Sequence, residues 1–244
     1  MRNVIVTGGS RGLGLAITAH LVADGYNVVA IARRESEHLL EEIARARVGH
    51  AGALAFAPFD FGDLDAIPDL VARLKKQFGA PYGLVNNAAI GTEGLLATMH
   101  NSQIEALLRI NVAAPILLTK YVVRSMMAAG GGRIINISSI IASTGYSGLS
   151  VYGSTKAALT GFSKSLAREV GRLGITVNAV APGFMMTEMT AGLDEAAGAK
   201  IARRAALLRL AEVDDVAHAV SYLLSEKARN VTGTVLTVDA GATA

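Results

Sequence analysis

Tyr152-Gly153-Ser154-Thr155-Lys156 sets a phenol and an ammonium four residues apart. On a helix that spacing puts both side chains on one face, where they can converge on one bound group. A free tyrosine, with a pKa of about 10, is a slow acid–base at neutral pH. A neighbouring lysine cation stabilises the phenolate and is expected to draw that pKa down into a useful range. Upstream, Ser139 follows the apolar run 134–137. A hydroxyl at the end of a strand can hydrogen-bond a carbonyl oxygen as charge develops on it. Ser138 is the competing candidate, but its side chain should face the opposite way if the strand continues. Phenol, ammonium and hydroxyl together suit proton transfer to a carbonyl.

A second group of residues suits a phosphate. Thr7-Gly8-Gly9-Ser10-Arg11-Gly12-Leu13-Gly14 follows the apolar run 3–7 and leads into a stretch where Leu13, Ile17 and Leu21 recur at helical spacing. Glycines permit a tight turn and close backbone approach, and a helix N-terminus offers free N–H groups to a pyrophosphate. Gly8, Ser10, Arg11, Gly12, Leu13 and Gly14 are the candidate cradle. The spacing is G-x-x-x-G-x-G, with Ile17 where the common dinucleotide pattern has its third glycine, so a plain helix-start turn is the alternative. The run 27–32 ends in Arg33-Arg34, without the acid that binds a ribose 2′-hydroxyl. An acid would repel a 2′-phosphate, whereas guanidinium groups bind one bidentately. With Arg11 approaching from the turn, the expected cofactor is NADP(H) rather than NAD(H).

These residues need a scaffold that delivers its loops to one edge. Short β-branched runs at 3–7, 27–32, 53–58, 83–86, 133–137, 175–181 and 235–238 alternate with amphipathic stretches. In residues 154–172, for example, Leu159, Phe162, Leu166 and Val170 mark one helical face. The runs are nearly continuous rather than alternating, which suits parallel strands buried on both faces. The predicted fold class is α/β: a single Rossmann-like domain over 1–244, a doubly wound parallel sheet of about seven strands with helices on both faces.

Composition agrees and excludes other classes. Hydrophobic residues make up 51% of the chain and charged residues 18%, which rules out intrinsic disorder. There is no cysteine, hence no disulfide framework and no thiolate zinc site. The five histidines lack ligand spacing and are read as surface residues, so no metal is expected. A net charge of +3 with Lys and Arg spread along the chain argues against nucleic acid. The uncharged window 134–155 is too rich in serine, asparagine and glycine to span a membrane. The first residues run straight into a strand, so a cytoplasmic location is expected.

The turn at 7–14, Asn86-Asn87-Ala88, Ser139, Tyr152 with Lys156, and Pro182-Gly183 followed by Thr187 together resemble the short-chain dehydrogenase/reductase family, in order and over essentially the whole chain. The resemblance implies hydride transfer between NADPH and a carbonyl. It implies an Asn-Ser-Tyr-Lys tetrad in which Asn111 is the first member, Ser139 steadies the carbonyl, and Tyr152 is the acid–base. Lys156 would bind the nicotinamide ribose as well as tune Tyr152. Asp60-Phe61 would lie by the adenine, Asn87-Ala88 against a ribose, and Pro182, Gly183, Met185 and Thr187 over the nicotinamide. Two departures stand out: Ala89 where the family often has glycine, and Asp239-Ala240-Gly241 for the common Asp-Gly-Gly. Both look small, and neither removes a reacting group.

Within the family, residues 161–170 and 174–184 look most like the 3-oxoacyl-thioester reductases of fatty-acid synthesis. The implied substrate is a small carbonyl compound, including an acyl thioester on a carrier protein or on CoA. The turn 126–132 lacks the basic residues those enzymes often present to an acidic carrier, leaving Arg124, Arg133 and Arg172 nearby. A broad carbonyl reductase acting on small ketones, quinones or steroids is one alternative. A non-catalytic NADP(H)-binding regulatory protein is another, against which the complete tetrad argues. Family members are commonly tetramers, so a homotetramer or homodimer is expected.

Pro115 lies four residues after Asn111 and has no N–H to offer its carbonyl. The helical pattern 104–123 should therefore kink there, leaving an oxygen that can hold a water linking Lys156 to solvent. The alternative is a bend made for packing, with Asn111 at the surface. Met185, Met186 and Met189 either line an apolar pocket or fill core.

Overall fold

The near-continuous apolar runs form strands, and every pair of neighbours is parallel. A computed structural model describes residues 1–49, 51–186 and 195–244. Among these, seven strands form one sheet in the order β3-β2-β1-β4-β5-β6-β7. They are β1 (Asn3–Thr7), β2 (Asn27–Ala32), β3 (Ala53–Pro58), β4 (Gly83–Asn86), β5 (Gly132–Ile137), β6 (Ile175–Pro182) and β7 (Val235–Val238). All residues of β4, β5 and β6 are buried, so both faces select apolar side chains and no alternation is left in the sequence. The edge strands β3 and β7 are partly exposed.

The helices are α1 (Gly12–Ala23), α2 (Glu37–Val48), α3 (Ile67–Phe78), α4 (Asn101–Leu108), α5 (Ala114–Ala129), α6 (Ile141–Thr144), α7 (Ser150–Val170), α8 (Glu195–Ala202) and α9 (Val213–Leu224). On one face Leu70, Leu118, Val122 and Leu166 from α3, α5 and α7 pack over Ile5, Leu84 and Ile134. On the other, Ile17, Leu21, Val216 and Val220 from α1 and α9 cover Val4, Val6 and Val85. Adjacent strand residues serve opposite faces, as the pleat demands. The strand order reverses beside β1, opening a crevice at the C-terminal ends of β1 and β4.

The predicted helix over 104–123 is two helices joined by a π-turn, Arg109–Ala113, in which the Ala114 N–H donates to the Arg109 carbonyl. Pro115 sits in the first turn of α5, so the expected break is present. Asn111 is 1% exposed, which removes the alternative that it is a surface residue. The stretch Asn101–Ala129 is long and apolar enough to cross a membrane by length and composition. Its Leu107, Leu118, Val122 and Met126 are fully buried, so its apolar face is occupied by the core. α5 ends at Gly130, whose φ of +80° is a conformation that a side chain would strain.

Among the described residues, two lacking that licence adopt positive φ: Leu208 at 53° and Ala240 at 56°. They lie in neighbouring turns, since the N–H of Leu207, the residue before Leu208, donates to the Ala240 carbonyl at 3.0 Å. The alanine in Asp239-Ala240-Gly241 is therefore a costly departure, not a neutral one. Left-handed backbone costs an L-residue roughly 1–2 kcal/mol, and glycine gives back part of this through its looser unfolded state. Leu208→Gly and Ala240→Gly are each expected to stabilise the protein by about 1 kcal/mol, a rise in Tm of roughly 2–4 °C. Leu208 is 71% exposed, so little burial is lost. A fall in Tm for both variants would refute the strain.

Candidate active site

The glycine turn leaves β1 at the crevice. The Thr7 hydroxyl accepts from the backbone N–H groups of Asn87 and Ala88, both at 2.9 Å. Asn87 Nδ2 donates back to the carbonyls of Thr7 (2.9 Å) and Gly8 (3.3 Å), clamping the segments after β1 and β4 together. A Cβ on Gly14 would stand 2.0 Å from the Gly8 carbonyl oxygen, so only glycine lets α1 begin this close to the turn. A Cβ on Gly12 would meet nothing within 4 Å, so the outer side of the turn is bare backbone. α1 has no side-chain cap and no acidic residue in its first turn. Its terminal N–H groups and dipole thus suit an outside anion, and the turn fits a dinucleotide pyrophosphate.

The other predicted cofactor residues sit around this crevice in different ways. Arg11 is exposed on the turn, and Arg33 and Arg34 are exposed just beyond β2. The Ser36 hydroxyl donates to the carbonyl of buried Ser10 and accepts from the Leu39 N–H at 3.1 Å, tying the turn to the start of α2. Leu13 packs on the core beneath α1, so its contribution to a cradle is backbone. Asp60 is exposed, with Oδ1 accepting from the Gly62 N–H at 2.8 Å. Phe61 is a core residue packed edge-on against Phe59, which leaves Asp60 as the outward member of the pair. Pro182 ends β6, and the Gly183 N–H donates to the Val238 carbonyl at 2.9 Å. Met185 packs against the core, whereas Met186 is exposed. Thr187 and Met189 lie outside the described residues.

Ser139 follows β5, and Tyr152 lies in the first turn of α7. The helix starts at Ser150 rather than at the predicted Ser154, with no side-chain cap to mark it. Ser139 and Tyr152 share a side-chain hydrogen bond, and Ser139 Oγ also accepts from the Ile141 N–H at 3.2 Å. Ser138 points away as expected, its Oγ donating to the Lys156 carbonyl at 2.9 Å. Lys156 is 3% exposed; its Nζ donates to the Ile137 carbonyl at 2.9 Å and lies 5.6 Å from the Tyr152 ring centroid.

Burial governs the protonation of this pair. The Tyr152 phenol is pushed up to about 12 by burial, with the Ser139 hydrogen bond acting against the rise. Burial holds the Lys156 ammonium down to about 8. The downward shift of Tyr152 expected from Lys156 is thus reversed in the protein's own environment. The ammonium is anchored on a carbonyl and sits over the ring, while the phenol loses the solvation its anion needs.

Two features escaped the sequence reading. Asn86 Nδ2 donates to Thr119 Oγ1 (3.0 Å) and Asn136 Oδ1 (2.8 Å), and Asn136 Nδ2 donates to Ser163 Oγ (2.8 Å). This buried chain bolts α5 and α7 to the sheet under the site; its signal was a lone asparagine in each of two apolar strands. The second is Thr155, fully buried between Asn111 and Tyr152.

Comparison with known proteins places this geometry. Residues 8–243 match the family described as Enoyl-(Acyl carrier protein) reductase. The 3-oxoacyl-acyl-carrier-protein reductase FabG of Haemophilus influenzae is 40% identical over 237 residues, 97% of this chain and 96% of that protein. Carbonyl reductase family member 4 of Xenopus tropicalis is 38% identical over 236 residues, 97% of this chain and 95% of that one. A solved short-chain dehydrogenase/reductase double mutant from Serratia marcescens superposes with a TM-score of 0.92 at 30% identity, covering 100% of this chain and 98% of its own. Matched in sequence and in fold over nearly its full length, the chain belongs to the short-chain dehydrogenase/reductase family of oxidoreductases, which act on C–OH and C=O groups.

Proposed function

We propose that this protein uses NADPH to reduce the ketone of a 3-oxoacyl thioester to a secondary alcohol. The observation that carries the proposal is the placing of half-buried Tyr152 and fully buried Lys156 together beside Ser139, at the edge of the sheet where the glycine turn opens. Bound NADPH would supply the hydride. Gly8 to Gly14 would hold its pyrophosphate, Asp60 and Asn87-Ala88 its adenosine and ribose, and Lys156 with Pro182 to Thr187 its nicotinamide end.

The residues divide the remaining work. Ser139 hydrogen-bonds the substrate oxygen, and Tyr152 donates its proton there as negative charge builds. A phenol held up to about 12 keeps its proton at neutral pH. The alkoxide formed by reduction is a stronger base than the phenolate, so the transfer runs downhill. Lys156, held near 8, gains and loses protons close to neutral pH and is suited to recharge Tyr152. Asn111, beside the break made by Pro115, is the next step of that path.

For the cofactor, no ion pair among the described residues engages Arg33 or Arg34. Both are available to a 2′-phosphate, with Arg11 on the adjoining turn. For the substrate, the loops beyond β4, β5 and β6 expose Leu95, Leu96, Tyr146 and Met186. These loops meet: the Gly94 N–H donates to the Gly148 carbonyl at 3.0 Å, and Tyr146 contacts the Phe184 ring at 5.6 Å. An apolar rim suits an acyl chain, and the 40% identity to an acyl-thioester reductase points the same way. The exposed α7 face around Ala157, Ala158 and Gly161 and the edge strand β7 are the surfaces on which a homotetramer would pair. The cytoplasm is the compartment implied.

The relative named a carbonyl reductase favours a second reading, action on free ketones. A single panel separates the two: NADPH and NADH oxidation with 3-oxoacyl thioesters on CoA and on a carrier protein, 2-enoyl thioesters and simple ketones. The highest kcat/KM is expected for NADPH with a 3-oxoacyl thioester. Simple ketones or quinones that match it would establish the second reading. Binding of NADPH with no turnover on any substrate would make the protein a cofactor-binding regulator.

A further inference from the structure

Thr155 is fully buried, and its hydroxyl stands between two halves of the site. Oγ1 donates to the Tyr152 carbonyl at 2.7 Å and accepts from Asn111 Nδ2 at 3.2 Å. The same carboxamide exchanges two hydrogen bonds with the backbone of Ile90. Oδ1 accepts from the Ile90 N–H and Nδ2 donates to the Ile90 carbonyl, each at 2.9 Å. Three segments are joined in this way: the loop after β4 that carries Asn87 and Ala88, the π-turn between α4 and α5, and the first turn of α7.

The chemistry of the link is directional. A carboxamide can turn either its oxygen or its NH2 towards a neighbour. A hydroxyl whose proton is already given to the Tyr152 carbonyl can only accept, so Thr155 demands the NH2 edge. Ile90 demands the same orientation from the other side. Removing the hydroxyl leaves the Tyr152 carbonyl without its side-chain donor and Nδ2 with one of its two acceptors. α7 has no side-chain cap at Leu149 to hold its first turn in place of Thr155.

We infer that Thr155 is a positioning residue whose hydroxyl, through Asn111, sets the first turn of α7 against the loop after β4 and thereby aims Tyr152 at the substrate oxygen. The inference rests on Tyr152 being the proton donor. Small displacements of a reacting group are costly, because roughly 1 Å of misplacement can lower a rate by about 10²-fold.

The test compares Thr155→Val, which keeps the shape and removes the hydroxyl, with Thr155→Ser, which keeps the hydroxyl and removes the methyl. Thr155→Val is expected to lower kcat about tenfold or more, with KM and the directly measured NADPH dissociation constant within about twofold. Its solvent deuterium isotope effect on kcat should rise, since a misaimed proton transfer becomes slower than other steps. Thr155→Ser is expected to restore both. A valine variant with wild-type kcat overturns the inference, as does one whose loss the serine variant shares. If the valine variant does not fold, the smaller Thr155→Ala takes its place under the same criteria. Tyr152→Phe, run alongside, separates the failures. If it is inactive while Thr155→Val is unimpaired, only the positioning role falls; if it stays active, the underlying proton-donor assignment falls.

Discussion

Tyr152→Phe is expected to lower kcat for carbonyl reduction by roughly 10²–10⁴-fold, the usual worth of a positioned general acid. The NADPH dissociation constant should stay within about twofold, because uniform binding of the cofactor does not depend on this proton. The variant is a clean one. The ring stays in place, and the only group removed is the hydroxyl that Ser139 hydrogen-bonds. Ser139 cannot take over as acid, since a serine hydroxyl gives up its proton less readily than a phenol; it can only steady the oxygen. Steady-state turnover with the best thioester of the panel, together with cofactor binding followed by fluorescence, checks both halves. More than about a tenth of wild-type kcat in the phenylalanine enzyme would remove Tyr152 from the chemistry. An enzyme that also lost NADPH binding would show that Tyr152 holds the crevice together.

What could be read from the sequence follows from what physics forces a sequence to state. Parallel strands draw on short apolar, β-branched runs, so β1, β2, β3, β4 and β7 could be bounded to the residue and the fully buried β5 and β6 to within one residue. Gly14 had to be glycine because a Cβ there meets a carbonyl oxygen. Pro115 announced a break beside Asn111, although the i→i+5 bonding of the π-turn is not written in any residue type. Side-chain direction was less visible. Leu13, Phe61 and Met185 fall at positions that belong by the crevice, yet their side chains serve the core. Ala240 looked harmless by volume, whereas the difficulty lies in its backbone angle. The protonation of Tyr152 and Lys156 was misread because spacing puts two groups side by side but does not say how far both are buried.

That burial predicts that the lysine destabilises the fold it serves. Lys156 loses affinity for its proton on folding, from 10.5 to about 8. Between those values the unfolded chain carries more protons than the folded one, so stability rises with pH there. At neutral pH the ammonium is present in both states and the full penalty applies, roughly 3 kcal/mol by linkage. Tyr152 works in the opposite sense but later. Its rise from 10.0 to about 12 erodes stability only above pH 10, which leaves pH 8 to 10 to Lys156. Lys156→Met keeps the length of the side chain and removes the charge. It also gives up the hydrogen bond to the Ile137 carbonyl, worth about 1 kcal/mol. A net gain of about 1–2 kcal/mol at pH 7 is expected, a Tm higher by roughly 2–8 °C in cofactor-free protein. The gap over wild type should close as pH rises from 8 to 10, and kcat should fall by roughly 10²-fold or more, because Tyr152 loses its source of protons. Thermal unfolding of both proteins across that range decides the matter. A methionine variant less stable at pH 7, or a gap indifferent to pH, would mean that the buried ammonium is not charged at a cost to the fold. The combination of higher stability and lost turnover would show that Lys156 is kept for its proton and not for its packing.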